Sequence, residues 1–258
     1  MTAPGIALQL YTVREPAKRS ALDTLKRAHD IGFRYVQWSG MPELPAADIR
    51  KALDAAELTA IAGHYSVEKF EQDFEGSVAF WKTVGVSDLA PGSMMTECRD
   101  TLEGWLAGAR RLDALGAKLR REGIRYSYHN HAFEFERFDG DSRYKLDILY
   151  DTASPANVYA ELDTAWVYVG GEDPAAYLRR YAGRCPVIHV KDALLHGGPE
   201  GRPRMVPLGA GELDWPAILD AARDTGVQWL IYEQDDCDGD PLEDARISYE
   251  FLKSNLAP

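Results

Sequence analysis

A chain of 258 residues, 45% hydrophobic and 27% charged, has the balance of an ordinary globular protein, and it holds no apolar run approaching the roughly 20 residues of a membrane span. Twenty-nine basic against 41 acidic side chains give a formal net charge of -12, which opposes the phosphate backbone of DNA or RNA and removes nucleic acid from the expected partners. Cys98, Cys185 and Cys237 are too few and too far apart for a disulfide framework or a CxxC motif, and the amino terminus lacks the basic-then-apolar pattern of a signal peptide, so a cytoplasmic protein with no membrane partner is expected.

Taken in chain order, short strand-like runs alternate with helical spacing. The run at residues 6–10 leads to Tyr11 and Arg14, residues 34–38 end on Trp38, and residues 59–63 precede His64. A fourth run covers residues 87–90. The stretch 99–122 then sets Leu102, Leu106, Ala109, Leu112 and Leu115 on one side at three- and four-residue spacing, the mark of an amphipathic helix. Residues 124–129 end on His129, with His131 and Glu134 just beyond, and residues 158–163 end on Asp163. Residues 186–190 carry His189, followed by Lys191, and residues 229–233 end on Glu233.

Asp173-Pro174, Asp214-Trp215-Pro216 and Asp240-Pro241 each read as a capping carboxylate before a helix-starting proline. Residues 137–144 and 195–213 show no helical spacing and read as long loops. The GAG at residues 209–211 is not a full dinucleotide fingerprint and reads as a tight loop. Eight strands separated by helices, in a chain close to the roughly 250 residues usual for the architecture, predict one α/β domain over residues 1–258, a single closed (β/α)8 TIM barrel.

In such a barrel the strands' carboxyl ends open onto one rim, where the polar tips would converge. A carboxylate at the end of a buried strand is costly unless it binds a cation or is fully hydrogen-bonded, and Asp163 and Glu233 both sit there. Alternation in PVIHVKD sends His189 and Lys191 to one side and Asp192 to the other. His129 and His131 share a parity that Glu134 does not, so the chain must turn after His131 for Glu134 to join the site. In the alternative, His129 or His131 ligates and Glu134 is an outer partner that orients a ligand.

The favoured ligand set is Glu134, Asp163, His189 and Glu233, suited to one divalent ion such as Mn2+, Mg2+ or Co2+, with Zn2+ also accommodated. A metal so placed polarises a carbonyl and stabilises an enediolate while flanking groups move a proton, the chemistry of aldose–ketose isomerisation or epimerisation. Glu134, Glu233 and His131 are the proton-transfer candidates. Tyr11, Trp38, His64, His129 and Lys191 are the candidates for contact with a small carbohydrate-like substrate.

Six segments, QLYTVR at 9–14, YHNHAFEF at 128–135, ELDTAWVYVGG at 161–171, HVKD at 189–192, GAGELDW at 209–215 and YEQD at 232–235, together resemble the xylose isomerase-like sugar phosphate isomerase/epimerase family. The resemblance spans nearly the whole chain, and it implies the barrel, the ligands Glu134, Asp163, His189 and Glu233, and the two glutamates as acid/base pair. The HNH at 129–131 departs from the sugar epimerases and is similar to a branch that eliminates from keto-sugars, keto-glycosides and inososes. A metal-dependent isomerase or epimerase is therefore expected, with a lyase or dehydratase as its main rival. An endonuclease IV-like repair enzyme fits poorly with six histidines and the negative charge, a non-catalytic sugar-binding subunit is the remaining reading, and homo-oligomer formation is left open.

Overall fold

The computed structural model describes residues 3–256. Its strands are β1 (Gly5–Gln9), β2 (Tyr35–Trp38), β3 (Thr59–His64), β4 (Asp88–Ala90), β5 (Arg125–His129), β6 (Tyr159–Asp163), β7 (Val187–Val190), β8 (Asp192–Leu194), β9 (Arg204–Val206) and β10 (Trp229–Tyr232). The first seven and β10 close a parallel barrel, with β10 between β7 and β1. All eight expected runs are barrel strands, their ends moved by no more than one residue. Among the described residues no helix is long and apolar enough to cross a membrane.

Parallel pairing requires a crossover between successive strands, so helices cover the outside and both strand faces are buried. The expected capping carboxylates act as such: Asp173 accepts from Ala175 N, Asp214 from Ala217 N and Asp240 from Leu242 N. The long helix Leu102–Arg121 is capped by Thr101, but its buried face is rotated from the expected one. Leu102 and Leu106 are only half-buried, whereas Trp105 is wholly buried and donates its indole N–H to Lys145 O at 2.7 Å. The large indole area decides which side faces inward.

Residues 195–213 are not simply a loop. Part of the segment forms β9, paired antiparallel with β8 outside the barrel. Three residues are too few to show alternation, which hid the strand from sequence reading. Asp192, on the outward side of the β7 extension, holds the segment's return: its Oδ2 accepts from Gly209 N at 2.9 Å, Gly211 N at 3.1 Å and Trp215 Nε1 at 2.8 Å. A Cβ at Gly211 would fall 2.0 Å from Asp192 Oδ1, so only glycine permits this wrap. The GAGELDW segment is thus a cradle around a buried carboxylate.

Asp192→Ala strands several buried donors at once and is expected to cost about 3 kcal/mol or more, read from urea denaturation, with faster proteolysis within residues 195–213. Unchanged stability and cleavage would show that the cradle does not need its acceptor.

Candidate metal and active site

Period-two geometry places the site. On β6, Glu161 and Asp163 share the inward face; on β7 and its extension, His189 and Lys191 do; His129 ends β5, and Glu233 follows β10, its N–H bonded to Val190 O at 3.3 Å. Register brings Asp163 directly opposite His189. His129, Asp163, His189 and Glu233, all buried, each offer a ligand atom, and these atoms lie within 4.8 Å of one another.

Two observations bear on whether a cation fits. Asp163 Oδ1 caps the following helix by accepting from Trp166 N at 2.9 Å, while Oδ2 is buried without a hydrogen-bond partner; His129 Nδ1 is buried and unpartnered as well. Two imidazoles and two carboxylates are also a donor set suited to a borderline divalent ion. The residues therefore fit a metal, and no thiolate is among them.

Lys191 is the fixed cation of the site. Its Nζ lies 2.9 Å from Glu233 Oε2, 2.9 Å from Asp235 Oδ2 and 3.0 Å from Asp163 Oδ2, the last an ion-pair contact without hydrogen-bond alignment. Burial opposes its charge, but the carboxylates of Asp163, Glu233 and Asp235 outweigh that and hold its pKa well above the usual lysine value. Burial likewise opposes ionisation of Glu233, yet Lys191 and His189 keep it well below the carboxylate range. Asp163 is pushed up to about 6, chiefly by burial and against the pull of Lys191. For His189, burial is overcome by Glu233, at 2.7 Å from Nδ1, and by Glu161, raising it to about 10.

Glu161 was not singled out from sequence. Its Oε1 lies 2.7 Å from His64 Nε2, 3.0 Å from His189 Nε2 and 3.7 Å from His129 Nδ1, and its Oε2 accepts from Gln37 Nε2 at 3.0 Å. Gln37 Oε1 in turn accepts from Gln9 Nε2 at 2.9 Å. One carboxylate thus holds the imidazoles of His64 and His189 and lies near that of His129, and the cluster of His64, His129, Glu161 and His189 also meets metal-ligand spacing. The signal was the ELD parity: a residue two before Asp163 must share its face.

Other expectations need correction. Glu134 does not join the ligand cluster: the chain turns after His131 into a short 3-10 helix, Phe133–Phe135, that folds Glu134 back so that Tyr128 Oη donates to Oε1 at 2.7 Å and His131 N to Oε2 at 2.8 Å. The two-glutamate pair is therefore not assembled, and Glu134 braces the loop that carries His131. Burial pushes its carboxyl up to about 7 despite those two donors. Lys191, expected to meet substrate oxygens, is instead fully buried among carboxylates. Trp38 lies on a neighbouring cavity and not on the one beside the ligand cluster.

The cavity at the cluster measures about 590 Å3, and Tyr11, His64, His129, His131 and Glu233 line it as expected; Trp166 and Met205 line it unforeseen. His131, lowered to about 4 by burial and then by Lys191, is a neutral imidazole near pH 7.

Comparison with known proteins places these features in context. The profile described as "Xylose isomerase-like TIM barrel" matches residues 25–255. An inosose dehydratase of Lacticaseibacillus casei is 28% identical over 173 residues, 60% of this chain and 56% of that protein, and one of Clostridium tetani is 26% identical over 172 residues, 61% and 56% respectively. The matched part spans little more than half the length of these curated relatives. A sugar phosphate isomerase/epimerase structure from Parabacteroides distasonis superposes with a TM-score of 0.83 at 20% identity, covering 99% of each chain, a likeness of fold.

Lys191→Met leaves three carboxylates without their cation. It is expected to destabilise the metal-free protein by about 3–5 kcal/mol in urea denaturation, with added Mn2+ recovering part of the loss; full stability without metal would contradict this. For Glu134 the sign follows from a pKa raised from 4.5 to about 7: its contribution is fully present below about pH 4.5 and lost as pH rises through 7. Glu134→Gln should therefore gain on the wild type by about 3 kcal/mol between pH 4 and pH 9 in chelator, and parallel stability–pH curves would refute it.

Proposed function

The chain belongs to the xylose isomerase-like TIM-barrel family, and from that premise we propose that it is a divalent-metal-dependent lyase or dehydratase acting on a small polyhydroxy ketone. The observation that carries this reading is the position of Glu134: it faces Tyr128 and the His131 backbone, while His64, His129 and His131 stand around the cluster. An epimerase working through two opposed glutamates lacks its second one here. The similarity to inosose dehydratases supports the same direction.

His129, Asp163, His189 and Glu233 would hold the metal. When bound, it supplies positive charge to the carbonyl oxygen and to the enediolate that forms on the substrate. His131, neutral and on the cavity wall, accepts the proton from the carbon beside the carbonyl. His64, whose Nε2 is held by Glu161, supplies a proton to the departing oxygen on the β carbon, so that the carbon–oxygen bond breaks and water or an alcohol leaves. Lys191 keeps Glu233 and Asp163 ionised for their task. Tyr11 and Trp166 wall the cavity and limit water around the intermediate.

The Mn2+-loaded protein, incubated in deuterated water with inososes, 3-keto-glycosides, aldoses and ketoses and followed by mass spectrometry and NMR, is expected to release water or an aglycone from a keto substrate. His131→Gln should lower kcat by about 100-fold or more while metal content is retained. Deuterium exchange giving only isomers or epimers would return the protein to the isomerase reading, and no turnover or exchange on any of them would leave a sugar-binding protein.

A further inference from the structure

Gln9, at the end of β1, and Gln37, on β2, are register partners; both are wholly buried and neither lines the cavity. A buried amide carries donors and an acceptor that must find partners of the opposite kind. Their orientation can be read from one end. The backbone N–H of Tyr11 can only donate, and it donates to Gln9 Oε1 at 3.4 Å, so the Gln9 amino group points the other way and donates to Gln37 Oε1 at 2.9 Å. With that oxygen as acceptor, the amino group of Gln37 is the side that meets Glu161, donating to Oε2 at 3.0 Å.

The same Gln37 oxygen lies 2.6 Å from His189 Nε2. An amide oxygen only accepts, so this nitrogen carries a hydrogen. His189 Nδ1, 2.7 Å from Glu233 Oε2 and 4.0 Å from Asp163 Oδ2, is then the nitrogen turned to the ligand cluster. Glu161 Oε1 acts in the same sense, 3.0 Å from His189 Nε2 and 2.7 Å from His64 Nε2. With its Nε2 engaged, His64 presents Nδ1 on the side of Gly92, a glycine of the cavity wall, where an added Cβ would stand 3.9 Å from that nitrogen.

We infer that Gln9, Gln37 and Glu161 are positioning residues that keep a hydrogen on Nε2 of both His189 and His64, so that a divalent ion is taken by His189 Nδ1 and a proton moves between His64 and substrate at Nδ1, over Gly92. The part given to His64 rests on the proposed function, that given to His189 only on the metal cluster. Without these acceptors the ring hydrogen of His189 is free to sit on Nδ1, where it opposes the ion. A hydrogen on both Nε2 atoms also closes the space between them and Glu161 to a second ion, although His64, His129, Glu161 and His189 have ligand spacing.

The test is long-range proton–nitrogen NMR of histidine-labelled, Zn2+-loaded protein, with signals assigned through His64→Gln and His189→Gln, and Zn2+ affinity measured by chelator competition. His189 is expected to carry a hydrogen on Nε2 and zinc on Nδ1, and His64 a hydrogen on Nε2, with one zinc per chain. Gln37→Met removes the amide, and Glu161→Gln sets an amino group against one of the donors around it; each spares the metal ligands and should weaken Zn2+ binding about 10-fold or more. Zinc on His189 Nε2, a bare Nε2 on His64, a second tightly held zinc, no zinc binding, or undiminished affinity in either folded variant would overturn the assignment. The wild-type spectrum decides it even where a variant does not fold. Neither measurement needs turnover, so a protein that shows this pattern but acts on no keto substrate defeats the reaction and keeps the positioning role; elimination from inososes by a protein that binds zinc through His189 Nε2 does the reverse.

Discussion

Neutralising buried acid is the constraint on which the barrel mouth depends. Glu161, Asp163, Glu233 and Asp235 each touch Lys191 or His189, the positive groups among them. In a medium of low dielectric such carboxylates repel strongly and are poorly solvated, so each must have a cation or a donor. The opposing pKa shifts follow: Glu233 is held low by Lys191 and His189, while Asp163, next to the same lysine, is driven up by burial and by the carboxylate of Glu233. A divalent ion would add positive charge where Asp163 Oδ2 and His129 Nδ1 have no hydrogen-bond partner.

The fold makes this arrangement affordable by giving every member a fixed origin. Asp163 and His189 face each other in one register pair, Thr164 Oγ1 ties β6 to the carbonyls of His189 and Lys191, and one Glu161 oxygen holds the imidazoles of His64 and His189. Outside the barrel Asp192 performs a matching task, gathering the amides of the segment that brings Arg204 and Met205 to the cavity. Adjacent residues of one strand extension, Lys191 and Asp192, thus organise the interior and the cover from opposite faces.

Much of this was legible in the chain. The eight strand runs, the polar strand tips and the caps that precede a proline follow from local rules of parity and capping, and those rules placed His129, Asp163, His189 and Glu233 on a common rim. Glu161 was legible too, through its parity with Asp163, but a carboxylate deeper in a strand drew no notice beside one at its end. Glu134 misled because a residue past the strand end has no parity, and only the turn over Phe133–Phe135 sets its direction.

What the sequence determined by itself is the alternating architecture and the inventory of ionisable groups at the strand ends, since both depend on spacing along the backbone. The tertiary structure alone decided which of those groups meet, that Lys191 belongs to the carboxylates and not to the cavity wall, that Trp38 lines a neighbouring cavity, and that the segment after β8 folds back as a strand. The reason is physical: distance between side chains on different strands depends on register, shear and loop path around the closed barrel, quantities that no local periodicity encodes.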